Sequence, residues 1–170
     1  MDRVFGEETT TPDLYAAVCS SVVSSVVKGI NGTVFAYGQT SSGKTHTMAG
    51  GGDSIGVLQL AAEEIFSLIA ASSAERTYNL RAGYMEIYNE NLRDLLSKDG
   101  QEPVKIHEDP VKGVHITNIE EFVTCFEDIQ ALLARGNKFR AVGATAMNEQ
   151  SSRSHAIFRL TVRNTDSSRP

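Results

Sequence analysis

Cysteine is scarce in this chain of 170 residues: two occur, Cys19 and Cys125, each alone in an apolar stretch rather than in a Cys-x-x-Cys or Cys/His cluster. Neither a disulfide framework nor a cysteine-built metal site is indicated, and a reducing intracellular compartment is expected. Long apolar runs are lacking as well. None approaches the roughly 18 residues of a membrane-spanning helix, and the start, "MDRVFGEETT", has neither the basic nor the apolar region of a signal peptide. The third shortage is positive charge. A net charge of -5 means that the chain as a whole does not suit a polyanion, although a local basic patch stays open. Internal repeats and long linkers are missing too. What is present, 41% hydrophobic and 22% charged residues, is the profile of one globular domain or part of one.

Hydrophobic spacing then divides the chain into elements. "TPDLYAAVCSSVVSSVVKGING" opens with Pro12 and Asp13 in a first helical turn and repeats Leu14, Val18, Val22, Val26 and Ile30 at i, i+4, which predicts an amphipathic helix ending near Gly29. Residues 33–37, bounded by Gly32 and Gly38, read as a short strand buried on both faces. A second helix is expected over "SIGVLQLAAEEIFSLIAASS", with Leu58, Ala61, Ala62, Ile65, Leu68 and Ile69 on its apolar face. "TYNLRAGYMEIYNE" reads as a long strand, with Leu92, Leu95 and Leu96 in a helical turn after it. "PVKIHEDPVKGVHITNI" reads as short strands joined by turns at Asp109-Pro110 and Lys112-Gly113. "TCFEDIQALLARG" predicts a helix capped by Thr124 and Glu127, with Phe126, Ile129 and Leu133 on one face, and "AIFRLTVR" a closing strand.

Between the buried strand and the second helix lies "GQTSSGKTHTM", in which Gly38-x-x-x-x-Gly43-Lys44-Thr45 matches the phosphate-loop pattern in full. The chemistry needs these residue types. Glycines let the backbone close into a concave nest of N–H donors, and a helix starting there adds its partial positive charge. Lys44 would reach the β- and γ-phosphates of a nucleoside triphosphate, and the Thr45 hydroxyl would face Mg²⁺. Gln39, Thr40, Ser41 and Ser42 complete the loop. Such a loop specifies a ligand and leaves the reaction open.

The words around the loop narrow it. "NGTVFAYGQTSSGKTHTM", "YMEIYNENLRDLL" and "NEQSSRSHAIF", in that order and at similar spacing, resemble the kinesin motor domain, and "DRVFGEETTTPDLY" looks like the segment preceding the first of these in that family. The resemblance covers residues 1–170 apart from the polar tail "DSSRP". It implies an α/β fold of the P-loop NTPase class, part of a three-layer αβα motor domain with a mixed central sheet. Its details look nearest to the centromere-associated, plus-end-directed mitotic kinesins.

By the same resemblance, Asn148, Ser151, Ser152, Arg153, Ser154 and His155 form the first switch loop. Asn148 would contact the phosphates, Ser151 would help place the attacking water, and Ser152 would approach the γ-phosphate and Mg²⁺. Arg153 would pair with an acidic group of a second switch loop. Small hydroxyls suit this work, because phosphoryl transfer needs positioning and charge stabilisation more than covalent help. His46 would stack on adenine; a solvent-facing imidazole in the first helical turn explains it as well. His107, His115 and the "KIHEDPVKG" turns fall where kinesins have a surface loop contributing to microtubule contact, and a solvated loop accounts for them equally.

The family's other working parts are not found in these residues. No apolar run ends in Asp-x-x-Gly, and no Arg-x-Arg-Pro strand precedes "MDRVF". The chain is therefore expected to be an internal part of a motor domain, incomplete at both ends, inactive as an ATPase alone, and prone to dimerise or precipitate through uncovered edges. The resemblance implies ATP and Mg²⁺ as cofactors and microtubules as partner of the full-length protein. It further implies dimerisation through a coiled-coil stalk outside the chain, no nucleic acid, no membrane insertion, and a location in the cytoplasm on the microtubule cytoskeleton, the spindle included. Two other readings stay open: a non-catalytic segment that binds nucleotide weakly or serves only in assembly, and a small P-loop kinase, which fits the length better than the order of parts.

Overall fold

The computed structural model describes residues 2–72, 76–111, 113–146 and 154–166, with the backbone alone described at 76, 141–146 and 165–166. The chain divides into two compact units, Met1–Tyr78 with Val162–Pro170, and Asn79–Thr161.

The first unit is helical. Its leading helix runs as α1 (Thr11–Leu14), a π-helical turn (Tyr15–Cys19) and α2 (Ser20–Val27). Thr10 caps it: the Thr10 hydroxyl accepts the Asp13 N–H, and the Asp13 carboxylate accepts the Thr10 N–H and hydroxyl. The helix is where the spacing puts it, but its inner face is Tyr15, Cys19 and Val23 rather than Leu14, Val18, Val22 and Val26. Both rows recur at i, i+4, so periodicity alone could not choose between them. Polar chemistry separates them. The Tyr15 hydroxyl donates to Glu64 at 2.5 Å and the Ser20 hydroxyl to the same carboxylate at 2.9 Å, which joins the helix to α4 (Val57–Ala70). Burial, and next Glu64 itself, raise the Tyr15 pKa above the ordinary phenol value. On α4 the buried positions are Val57, Ala62 and Ile65, with Leu58, Ala61, Leu68 and Ile69 half-buried.

Residues 33–37 do not form the buried strand expected of them. They carry no strand pairing, and Phe35 and Tyr37 are 79% and 94% exposed. A strand requires ladder partners for its N–H and C=O groups, and among the described residues no strand lies beside this segment. Its backbone is left to solvent.

The second unit is built on a sheet ordered β3-β2-β1-β6, with β7 also paired to β1. The strands are β1 (Arg76–Tyr88), β2 (Asn91–Asp94), β3 (Glu102–Pro103), β6 (Glu121–Phe122) and β7 (Ser154–Asp166). Here the helical turn expected at Leu92 is corrected. Asn89 and Glu90 take φ of 47° and 63°, the two left-handed residues of a tight hairpin turn, and β2 returns antiparallel with Ile87 opposite Leu92. The leucine spacing that suggested a helix serves instead to bury Leu95 and Leu96 in the turn beyond β2. That turn is held by a buried carboxylate: Asp94 accepts the Leu96 N–H at 2.9 Å and the Ile119 N–H.

Across the sheet lies α5 (Phe126–Ala146), longer than its apolar pattern predicts. Its cap is Asp128 rather than Glu127. The Asp128 carboxylate accepts the Thr124 N–H at 2.7 Å, the Thr124 hydroxyl at 2.9 Å and the Cys125 N–H at 3.3 Å. Ile129 and Leu132 of α5 and Leu80, Ala82, Tyr84 and Met85 of β1 are all buried, and each leucine, isoleucine or methionine among them contributes about 1.5–3 kcal/mol. Glu86, also buried, meets Arg140 of α5 at 3.4 Å, and the Tyr84 hydroxyl donates to Asn137 at 2.8 Å. A separate hairpin pairs β4 (Lys105–Asp109) with β5 (Gly113–Thr117), short strands as expected, its turn begun by the Asp109 carboxylate accepting the Val111 N–H at 2.8 Å.

Candidate functional site

The phosphate-loop residues all lie in the first unit. Residues 39–43 make a turn that leads directly into α3 (Lys44–Ala49). Two glycines permit it. Gly43 sits at φ 86°, ψ 3°, a left-handed conformation at the helix start that a side chain disfavours. A Cβ on Gly38 would lie 2.6 Å from the Ser42 hydroxyl oxygen, so the two limbs of the loop approach as closely as a bare backbone allows.

Lys44 then closes the loop on itself. Its ammonium donates to the carbonyl oxygens of Gly38 at 2.7 Å and Gln39 at 2.6 Å. An ammonium has three donors. With two engaged at the loop's first residues, the third is left for an oxygen of a ligand, and the charge is fixed beside the turn instead of ranging through solvent. Thr45 and His46 are exposed in the first turn of α3, and Gln39, Thr40, Ser41 and Ser42 are exposed along the loop. An open, backbone-lined turn with one pinned cation is suited to a polyphosphate.

A positioning residue escaped the sequence reading. The Gln59 side chain donates to the Ala49 carbonyl at 2.7 Å and accepts the Gly56 N–H at 3.0 Å, tying the end of α3 to the start of α4. Its signal was the spacing Gly56-x-x-Gln59, a capping-box relation with glycine in the cap position.

Of the first switch loop, Asn148, Ser151, Ser152 and Arg153 lie outside the described residues. Ser154 and His155 open β7, Ser154 half-buried and His155 exposed. Among the described residues no group of three or more His, Cys, Asp and Glu side chains could hold a metal ion, and no helix is long and apolar enough to cross a membrane.

The Kinesin motor domain family matches residues 1–170. The chain belongs to the kinesin motor domain family. Kinesin-related protein 4 of Dictyostelium discoideum is 46% identical over 167 residues, covering 96% of this chain and 9% of that protein. Kinesin-like protein KIN-7G of Oryza sativa subsp. japonica is 49% identical over 162 residues, covering 95% of this chain and 18% of that protein. A solved structure described as that of a fast kinesin, with implications for ATPase mechanism and interactions with microtubules, superimposes with a TM-score of 0.92 at 39% identity. It covers 98% of this chain, which spans 48% of that structure's chain. The α/β fold of the P-loop NTPase class expected from the sequence is thereby established, as part of a kinesin motor domain.

Proposed function

We propose that this chain is the nucleotide-binding portion of a microtubule-dependent motor ATPase, with residues 38–46 as its ATP site. The observation that carries the reading is the pinned Lys44. A lysine held by the first two carbonyls of a glycine turn at a helix start is preorganised for the β- and γ-phosphates, so it meets the ligand with little further ordering. The loop N–H groups would face the phosphate oxygens, and Gln59 would keep α3 in place beneath them.

The donor set suits Mg²⁺. That ion prefers oxygen ligands and usually keeps several waters, relying on one or two protein groups plus the substrate's phosphates. The Thr45 hydroxyl is such a group, and Ser152 of the switch loop would be a second. When bound, the ion would neutralise charge on the phosphates. Ser151 would orient a water, Asn148 would contact the phosphates, and Arg153 would hold the switch loop through an acidic partner. His46 would stack on adenine. Since no apolar run here ends in Asp-x-x-Gly, we place nucleotide binding in this chain and turnover, microtubule partnership, dimerisation and movement in the longer proteins of the family.

Lys44→Ala tests the reading. With a fluorescent ATP analogue and Mg²⁺, the variant should bind at least tenfold more weakly than the parent chain, because the pinned charge is lost. Equal affinity in the two chains would remove the loop from the site. A chain extended to about twice this length, in keeping with the 48% coverage of the solved kinesin, should hydrolyse ATP faster when microtubules are added. An extended chain that binds ATP and stays inert with microtubules would favour a non-catalytic assembly role.

A further inference from the structure

Away from the phosphate loop, the β4–β5 hairpin brings together two of the four histidines in the chain. His107 and His115 are direct cross-strand partners, so their side chains leave the same face of the hairpin. Both are exposed, and their rings stack with centroids 5.4 Å apart and planes 22° from parallel. We propose that this pair is a binding site for a divalent transition cation of the zinc type.

Three observations support it. The first is register: with Asp109 opposite Gly113 at the turn, every second pair falls on one face, which carries Lys105 with Thr117, His107 with His115, and Asp109 with Gly113. The imidazoles are thus fixed side by side by the backbone ladder, and the Asx turn at Asp109 sets the register of that ladder.

The second is the tautomer. His115 Nδ1 lies 3.3 Å from the Gly113 carbonyl oxygen. With Nδ1 donating to that carbonyl, which can only accept, the neutral ring keeps its lone pair on Nε2 for a cation. A backbone carbonyl in this place is the usual partner of a metal-ligating imidazole, orienting the ring and raising its basicity.

The third is distance. A tetrahedral zinc ion holding two imidazoles at about 2.0–2.1 Å sets their nitrogens about 3.3 Å apart. Rings with centroids 5.4 Å apart are near enough for side-chain rotation to be the one adjustment the proposal requires. No third His, Cys, Asp or Glu joins them in a cluster among the described residues, so water completes the coordination. Imidazole nitrogens select zinc, nickel and copper over Mg²⁺ and Ca²⁺, which take oxygen. The hairpin site is therefore chemically separate from the Mg²⁺ proposed at Thr45.

The test is a zinc titration of the full 170-residue chain in excess Mg²⁺, read by competition with a chromophoric chelator, in a Cys125→Ser background so that the half-exposed thiol does not compete. One zinc should bind per chain. His107→Phe and His115→Phe keep a ring at each position and so preserve the stacked pair, yet each should weaken zinc binding at least tenfold, whereas His155→Ala should leave it unchanged. Zinc should also slow amide exchange along β4 and β5 in the parent chain and not in the Phe variants. Zinc affinity that survives either Phe substitution, or the lack of saturable binding, would overturn the proposal.

Discussion

Residues 33–37 in the first unit and residues 80–87 in the second both read as strands from the sequence, and they end in opposite environments. Phe35 and Tyr37 are 79% and 94% exposed, while Ala82, Tyr84 and Met85 are at most 4% exposed. Their composition does not explain the difference. The second run is paired with β2, β6 and β7 and covered by α5; the first has no strand beside it among the described residues. A strand-forming sequence supplies an apolar face and a row of hydrogen-bonding groups, and both remain unused until a neighbouring chain segment answers them.

Paired truncations should give the largest effect and the sharpest contrast. Met85→Ala deletes a buried side chain and should destabilise the second unit by about 2–5 kcal/mol. Phe35→Ala removes a larger one that touches mostly water, and should change stability by no more than about 0.5 kcal/mol while reducing self-association. Denaturant unfolding and sedimentation of the two variants would check both halves. A Phe35→Ala chain destabilised as strongly as Met85→Ala would show that residues 33–37 are covered in solution.

A second prediction concerns how tightly the covered run is covered. A Cβ on Gly136 of α5 would fall 2.3 Å from Cδ1 of the Tyr84 ring and 3.3 Å from the Leu95 Cβ. The ring has little freedom to retreat, since its hydroxyl is bonded to Asn137 and its edge meets Phe158 with centroids 5.7 Å apart. Gly136→Ala should therefore cost about 1–3 kcal/mol from overpacking, even though alanine is the better helix former. That corresponds to a fall in Tm of about 2–4 °C per kcal/mol for a chain of this size. An unchanged or raised Tm would mean that helix and sheet are less closely packed than the structure has them.

The same two regions show what could be read in advance. The glycine turn leading into α3 was legible because its pattern is local: Gly38, Gly43 and Lys44 lie close together in sequence, and the backbone conformation follows from the residue types. The long strand β1 and the helices at residues 11–27 and 57–70 were legible from their hydrophobic pattern, and the short strands β4 and β5 from the turn residues between them. Choices between equivalent rows were not. The Tyr15-Cys19-Val23 row won over Leu14-Val18-Val22 through the distant partner Glu64. The leucines after residue 90 fit a helix by spacing, but the left-handed pair Asn89-Glu90 turned the chain back onto β1. Glu127 and Asp128 are adjacent carboxylates, and only the geometry of the turn at Thr124 assigns the cap to Asp128. Only for the first does the deciding partner lie outside the window in which a sequence pattern is visible; in the other two it lies within a few residues, and spacing cannot choose between backbone geometries that close together.

The smallest expected effect compares the helix caps of the two units. Asp13 in the first unit is held below the usual carboxylate range by its hydrogen bonds with the Thr10 side chain and backbone, and Asp128 in the second by those with the backbone and side chain of Thr124. A carboxylate whose pKa is lower folded than unfolded contributes stability that is complete above its unfolded value, about 4, and is lost as pH falls through its folded value. Both caps should therefore hold at neutral pH and fail only in acid. Asp128→Asn keeps an acceptor but removes the charge, so it should flatten the part of the stability profile below about pH 4 that comes from α5, and Asp13→Asn the part from the leading helix. Amide exchange at the first turns of the two helices, followed from pH 5 to pH 2, separates the contributions by position. Should Asp128→Asn leave the acid dependence at the start of α5 unaltered, the carboxylate would not be the cap, and Glu127 would be the group to test next.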